Sequence, residues 1–217
     1  MNIGIILAAG KGERFGGEIE KQFCYLNNKM IIDYSISAFQ KAKNIHQIII
    51  VTSEKWIEKL NNLYSDHTIV KGGKPRQESA LNALEICPKN TTNVLIHDAA
   101  RPFIKTSLIE QSIDYLKEYQ AVVVSRQATD TIMRVKNKKI IKMEDRKDFF
   151  LNQTPQSFNY KLIYNAYKKE QKNVTDDISL INLEKTNYKI IEGSSYNIKI
   201  TNTEDLKLAE SILKLIK

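Results

Sequence analysis

A three-layer α/β sandwich built on a mainly parallel sheet is the architecture this chain predicts, and three observations predict it. Short apolar runs alternate with segments of helical spacing through the first 125 residues. Charged loops at 8–22, 71–77 and 97–102, the first two also carrying glycines, each follow one of those runs. Near residue 129 the rhythm changes to apolar–polar alternation in two short runs around "NKK", the pattern of a projecting hairpin. The 217 residues are read as one domain, 1–217, with 129–150 as a β-arm within it.

The elements follow in order. Residues 3–8, "IGIILA", read as a buried strand. Residues 30–42 place Ile31, Ile32, Ser35, Ile36 and Phe39 at helical spacing. Strand 46–53 precedes a helix over 54–64, with Trp56, Ile57, Leu60 and Leu63 expected on its buried side. A short strand at 68–70 leads to a helix over 78–86, then strand 93–99, helix 107–118 and strand 121–125. Beyond the arm come a helix at 159–169, a polar loop and a helix from about Thr175. A strand at 188–193 and a last helix at 203–216 complete the chain, with Thr203 as N-cap and Glu204 and Asp205 favourable in its first turn. Parallel strands covered on both faces bind ligands at their C-terminal ends, so the three charged loops are expected to converge on one edge.

Composition narrows the function. No apolar stretch approaches the roughly 20 residues of a membrane helix. The opening "NIGIILAAG" has no basic region or cleavage site, so a cytoplasmic protein without membrane attachment is expected. A net charge of +8 invites a nucleic-acid reading, but the lysines are scattered and no aromatic–basic strip accompanies them. An anionic small substrate uses the same excess charge, and no nucleic-acid partner is expected. Cys24 and Cys87, the only cysteines, offer no zinc motif and are expected to be reduced.

The loop "LAAGKGERFGGEIEKQF" (7–23) is built for an anion. Gly10 and Gly12 let backbone amides approach closely, and Lys11, Arg14 and Lys21 add charge. It is not a Walker loop, and Phe15 occupies the third glycine position of a dinucleotide fingerprint. "KGGKPRQES" (71–79) supplies a second glycine turn before a helix. "IHDAARPF" (96–103) puts Asp98 at a strand end, where a carboxylate can meet a metal or a ribose hydroxyl. His97 is read as a satisfied sheet histidine, and no serine–histidine pair supports a hydrolase.

Together with "DTI", "QTPQSF", "TDD" and "NIKIT", these stretches stand in the order and spacing of the CTP-dependent polyol-phosphate cytidylyltransferases. From about residue 3 to its end the chain resembles the 2-C-methyl-D-erythritol 4-phosphate cytidylyltransferase family of isoprenoid precursor synthesis. The resemblance implies a Rossmann-like sandwich with a protruding arm, and a reaction that joins CTP to a polyol phosphate and releases pyrophosphate, with Mg2+ on the triphosphate. It implies that Arg14 and Lys21 stabilise the reacting phosphorus, and that Ala8, Ala9, Gly10, Lys11 and Gly12 wrap the triphosphate. It places Gly73, Lys74 and Ser79 near the cytosine, with Arg76 in the same segment. Asp98 and Arg101 match a strand-end pair near ribose, metal and acceptor, and Lys199 a lysine reaching the phosphates. Thr131 and Arg146 match residues that grip the acceptor phosphate, and Thr154 fits a "TPQ" turn lining the pocket. The family's arm crosses to a second subunit, so a homodimer is implied. Where the family writes Pro-Lys-Gln this chain has Glu20-Lys21-Gln22, a departure that bears on the approach to Lys21. A ribitol-phosphate cytidylyltransferase on the same fold and a silent nucleotide-binding protein are the alternatives. Retention of Arg14, Lys21, Arg146 and Lys199 together argues against the second.

Overall fold

The computed structural model describes residues 1–12, 15–16, 19–169, 174 and 176–216. Arg14 and Thr175, both singled out above, lie outside them. The elements are β1 (Asn2–Ala8), β2 (Tyr25–Leu26), β3 (Lys29–Met30), α1 (Ile31–Lys41), β4 (Gln47–Thr52), α2 (Ile57–Leu63), β5 (Thr68–Lys71), α3 (Arg76–Glu85), β6 (Asn93–Asp98) and α4 (Thr106–Tyr115). They continue with β7 (Ala121–Gln127), β8 (Ile132–Lys136), β9 (Lys139–Glu144), β10 (Phe150–Asn159), α5 (Tyr160–Lys169), β11 (Tyr188–Glu192) and α6 (Thr203–Leu215).

The alternation of β1 divides the core. Ile6 and Ala8 meet Ile32, Ile36 and Phe39 of α1 and Ile109 and Ile113 of α4. Ile3, Ile5 and Leu7 point the other way, against Ala80, Ala83 and Leu84 of α3 and Ile163 and Tyr167 of α5. A strand buried on both faces cannot alternate polar with apolar, which explains the unbroken run "IGIILA". Each such side chain, fully buried, contributes about 2 kcal/mol relative to exposure. Seven strands form the sheet in the order β11-β7-β10-β6-β1-β4-β5. Only β10 runs antiparallel to its neighbours β6 and β7. The chain steps outward from β1 through β4 to β5, then returns to place β6 on the other side of β1. That reversal is where an open sheet leaves a crevice at its strand ends.

Four expectations need correction. "TPQ" is no turn: it lies within β10, where the register shifts between Asn152 and Gln156 and the Thr154–Pro155 bond is cis. Proline argues against an interior strand unless a bulge removes its ladder position, and here one does. In α2 only Leu60 is buried, and Leu63 is 52% exposed, because a 3-10 turn over Glu54–Trp56 precedes the helix and changes its phase. Among the described residues after Thr175 the expected helix is absent, and the segment holds a 3-10 turn, Asp177–Leu180. The cap of α6 is Asn202, not Thr203. Its side-chain oxygen accepts from the Asp205 amide at 2.8 Å, and the Asp205 carboxylate accepts from the Asn202 amide at 3.0 Å.

The arm is the expected hairpin. Asn137 and Lys138 adopt left-handed φ of 51° and 60°, the two-residue turn that matches strand twist. Val135, Ile140, Ile141, Met133 and Met143 are all exposed on it. Among the described residues no helix is long and apolar enough to cross a membrane.

Candidate active site

The C-terminal ends of β1 and β6, paired at Leu7 and Asp98, floor a cleft of 510 Å³. Its walls come from the loop after β1, the turn between β5 and α3, and Lys199 and Thr201 before α6. The three loops therefore converge as the strand order requires.

The first wall is fastened by Gln22. Its buried amide donates to the Ala8 carbonyl at 2.6 Å and the Gly10 carbonyl at 3.0 Å, tying both ends of the glycine turn to the 3-10 turn Lys21–Phe23. Gly12 has φ of +67°, a conformation that glycine adopts without strain. Ala8, Ala9, Gly10, Lys11, Gly12 and Lys21 all line the cleft. The second wall needs Gly72, where a Cβ would stand 2.3 Å from the Ala9 Cβ. Only a residue without a side chain lets these two loops touch. The Gly73 amide donates to the Ser79 hydroxyl at 3.1 Å, so Ser79 closes the turn, and Gly73, Lys74 and Ser79 reach the cleft.

Asp98 stands at the centre. Lys199 Nζ lies 2.6 Å from its Oδ2 and Arg76 Nε 3.1 Å from its Oδ1. Arg76 then grips the fully buried Asp177 with both terminal nitrogens, at 2.6 and 2.8 Å. The Tyr167 hydroxyl donates to the same carboxylate. Burial opposes ionisation of Asp98, but Arg76 and Lys199 outweigh it and hold the carboxyl well below the usual range. Burial likewise opposes the Arg76 charge, and Asp177 and Asp98 hold it well above the ordinary value. Lys11, Lys21, Lys74, Arg76 and Lys199 thus face a cleft in which Asp98 is the one carboxylate among the described lining residues. That balance suits a polyanion. No histidine or cysteine appears among the described lining residues, and the cations there offer positive charge to a bound anion.

The remaining candidates sit elsewhere. Thr154 is buried, and its hydroxyl is committed: it accepts from the Asp98 amide at 3.1 Å and pairs with His97 Nδ1 at 3.0 Å. It is not among the cleft-lining residues and acts on the site through Asp98. Arg101 does not line the cleft either; its Nη1 donates to the Asn197 carbonyl at 2.8 Å. Thr131 and Arg146 are exposed at the base of the arm, where Arg146 Nη1 donates to the Thr129 carbonyl at 2.7 Å. Sequence reasoning missed Gln22 and left Asp177 without a role. The doubled acid of "TDD" was the available signal for the latter.

His97 is the satisfied sheet histidine. Its Nε2 donates to the Arg101 carbonyl at 3.1 Å, which leaves Nδ1 to accept from Thr154. Burial pushes its pKa down to about 4 from 6.5, and only the neutral ring fits both bonds. Between those values the unfolded chain takes up a proton that the folded one refuses. Stability therefore falls as pH drops from 6.5 to 4, by about 3 kcal/mol. Asp98, with its depressed carboxyl, adds a loss only below its unfolded value of 3.8. Urea midpoints measured at pH 7 and 4.5 are expected to show the decline in the wild type and a smaller one in His97→Gln; equal declines would remove His97 as the cause.

Known proteins resemble this chain over nearly its whole length. The sequence model of 2-C-methyl-D-erythritol 4-phosphate cytidylyltransferase matches residues 3–215. A protein of that name from Clostridium botulinum (strain ATCC 19397 / Type A) is 43% identical over 222 residues, covering 97% of this chain and 96% of its own. Another, from Petrotoga mobilis, is 38% identical and covers 97% of both chains. Among solved structures, the 4-diphosphocytidyl-2C-methyl-D-erythritol synthase of Anaerococcus prevotii superposes with a TM-score of 0.88 at 26% identity, over 99% of this chain and 96% of that one.

Proposed function

Because the chain belongs to the 2-C-methyl-D-erythritol 4-phosphate cytidylyltransferase family, we propose that its cleft joins CTP to 2-C-methyl-D-erythritol 4-phosphate, giving the CDP-alcohol and pyrophosphate for isoprenoid precursor synthesis. The observation that carries the reading is the set of cations from three loops around Asp98 at the sheet's reversal.

The acceptor's phosphate oxygen forms a bond to the α-phosphorus of CTP while the bond to pyrophosphate breaks. The attacking oxygen is already anionic near neutral pH, so no general base is required. What the protein supplies is alignment of two polyanions and positive charge where the transition state gathers negative charge. Lys21 and Lys199, with Arg14 from the same loop as Lys21, fill that role. Lys199 exchanges its Asp98 partner for phosphate oxygen as CTP enters. The amides of 9–12 cradle the triphosphate, the Gly73–Ser79 turn holds the base, and Asp98 meets the ribose. Asp98, the one carboxylate among the described lining residues, fits a Mg2+ ion bound mainly by phosphate oxygens. Asp98 would hold it, and it would neutralise phosphate charge.

The arm completes the assignment. Thr131 and Arg146 do not line the cleft of their own subunit, and the hairpin between them exposes apolar side chains. A homodimer in which these two residues bind the acceptor phosphate in the partner's cleft accounts for both facts. Arg101, bonded to the Asn152 carbonyl of β10 at 3.4 Å and the Asn197 carbonyl at 2.8 Å, orders the rim between β10 and the 194–199 segment. The two unpaired cysteines, Cys24 and Cys87, suit a reducing compartment, so the cytoplasm is the assigned location.

Pyrophosphate release with CTP and Mg2+ against methylerythritol, ribitol, erythritol and glycerol phosphates tests the reading. Methylerythritol phosphate is expected to turn over fastest, and a preference for ribitol phosphate would overturn it. Arg146→Ala is expected to raise the acceptor KM by at least about tenfold and leave the CTP KM unchanged, the mark of a lost bidentate phosphate contact.

A further inference from the structure

Lys21 is flanked by fastened residues. Gln22 binds the glycine turn, and the Phe23 ring stacks on Trp56 with centroids 4.0 Å apart. On the other side Glu20 reaches out of the loop altogether. Its carboxylate accepts from Trp56 Nε1 at 3.0 Å and Ser53 Oγ at 3.4 Å, and pairs with Lys55 Nζ at 2.8 Å. The side chain is only 11% exposed. Lys59 Nζ, 4.8 Å from the Trp56 ring centre, adds a cation–π contact to the same ring. All these partners belong to the segment that follows β4, which lines no part of the cleft.

A carboxylate beside a triphosphate loop is electrostatically unfavourable unless it is neutralised and turned away, and Glu20 is both. Its backbone holds φ of −62° and ψ of 132°. That is the φ a proline ring imposes, and its extended ψ leads into the turn that begins at Lys21. The backbone geometry of a proline is thus reached here with a side chain held from outside.

We propose that Glu20 is a positioning residue for Lys21, and that the 53–56 segment is a remote support of the catalytic loop acting through it. The inference rests on the cytidylyltransferase reading for its kinetic consequence. A lysine displaced by about 1 Å from a reacting phosphorus loses up to about 100-fold in rate. The carboxyl of Glu20 is opposed by burial, but Lys55 and Trp56 hold it below the ordinary value, consistent with a permanently charged anchor.

Trp56 is the only tryptophan in the chain, so its fluorescence reports the anchor directly. Glu20→Ala is expected to shift Trp56 emission to the red. It is expected to lower kcat about 10- to 100-fold, with CTP affinity within about threefold and the circular dichroism of the fold unchanged. Glu20→Pro, which lacks the carboxylate but keeps φ, is expected to show the same emission shift with most of the turnover restored. In a Lys21→Ala background, Glu20→Ala is expected to cost nothing further. Wild-type turnover in Glu20→Ala, unchanged emission, failure of proline to restore turnover, or a full additional loss in the Lys21→Ala background would each overturn the proposal. Absence of pyrophosphate release by the wild type would defeat the functional reading instead, and the emission shift would still judge the anchor.

Discussion

Lys21→Ala is expected to lower turnover by about three orders of magnitude while fold and CTP affinity stay close to the wild type. Removing one preorganised charge from a developing oxyanion costs about 3–4 kcal/mol of barrier, which sets that scale. The fold survives because the 3-10 turn carrying Lys21 is held by its neighbours: buried Gln22 bonds the Ala8 and Gly10 carbonyls, and buried Phe23 stacks on Trp56. Lys21→Arg is not expected to restore the rate, since a planar fork does not occupy the place of a compact ammonium. Single-turnover rates and calorimetric CTP titration separate the two quantities. Turnover equal to the wild type would remove Lys21 from the chemistry, and a matching loss of CTP affinity would make it a binding residue only.

Asp177→Ala carries the largest expected effect on stability, about 3–5 kcal/mol. Asp177 is fully buried under Arg76 and Tyr167, and its removal strands a guanidinium that burial already disfavours. The damage reaches the cleft, because Arg76 also holds Asp98. A urea midpoint far below that of the wild type, with little cytidylyl transfer even at low denaturant, is the expected result. Replacing the pair together, Arg76→Met with Asp177→Leu, is expected to recover much of the stability and none of the activity. A single substitution that left the midpoint unmoved would show that the bridge is solvated rather than structural.

What could be read from the sequence follows from how the information is stored. The strands β1, β4, β6 and β7 carry apolar runs because both of their faces are buried, and the loops after β1, β5 and β6 carry charge, the first two with glycine beside it, in a few consecutive residues. Those signals are local, and they placed the cleft. β10 was hidden because Pro155 forbids an ordinary interior strand and the bulge that accommodates it has no signature of its own. The Arg76–Asp177 bridge joins residues 101 positions apart, and the Glu20–Trp56 bond joins residues 36 apart. Nothing in either neighbourhood announces its partner. The same holds for Gln22, which reads as an ordinary polar residue until the turn it fastens is seen.

The place of β10 in the sheet governs the order in which a nascent chain can become whole. Residues 150–159 slot between β6 and β7, so what is synthesised before them can form only the four-stranded sheet β6-β1-β4-β5, while β7 still lacks both of its sheet neighbours, β10 and β11. Until that strand leaves the ribosome, β6 shows a hydrogen-bonding edge and β7 has no neighbour in the sheet, the condition under which strands recruit wrong partners. The C-terminal third is therefore the keystone of the sheet, and a chain cut short of it would be exposed to aggregation.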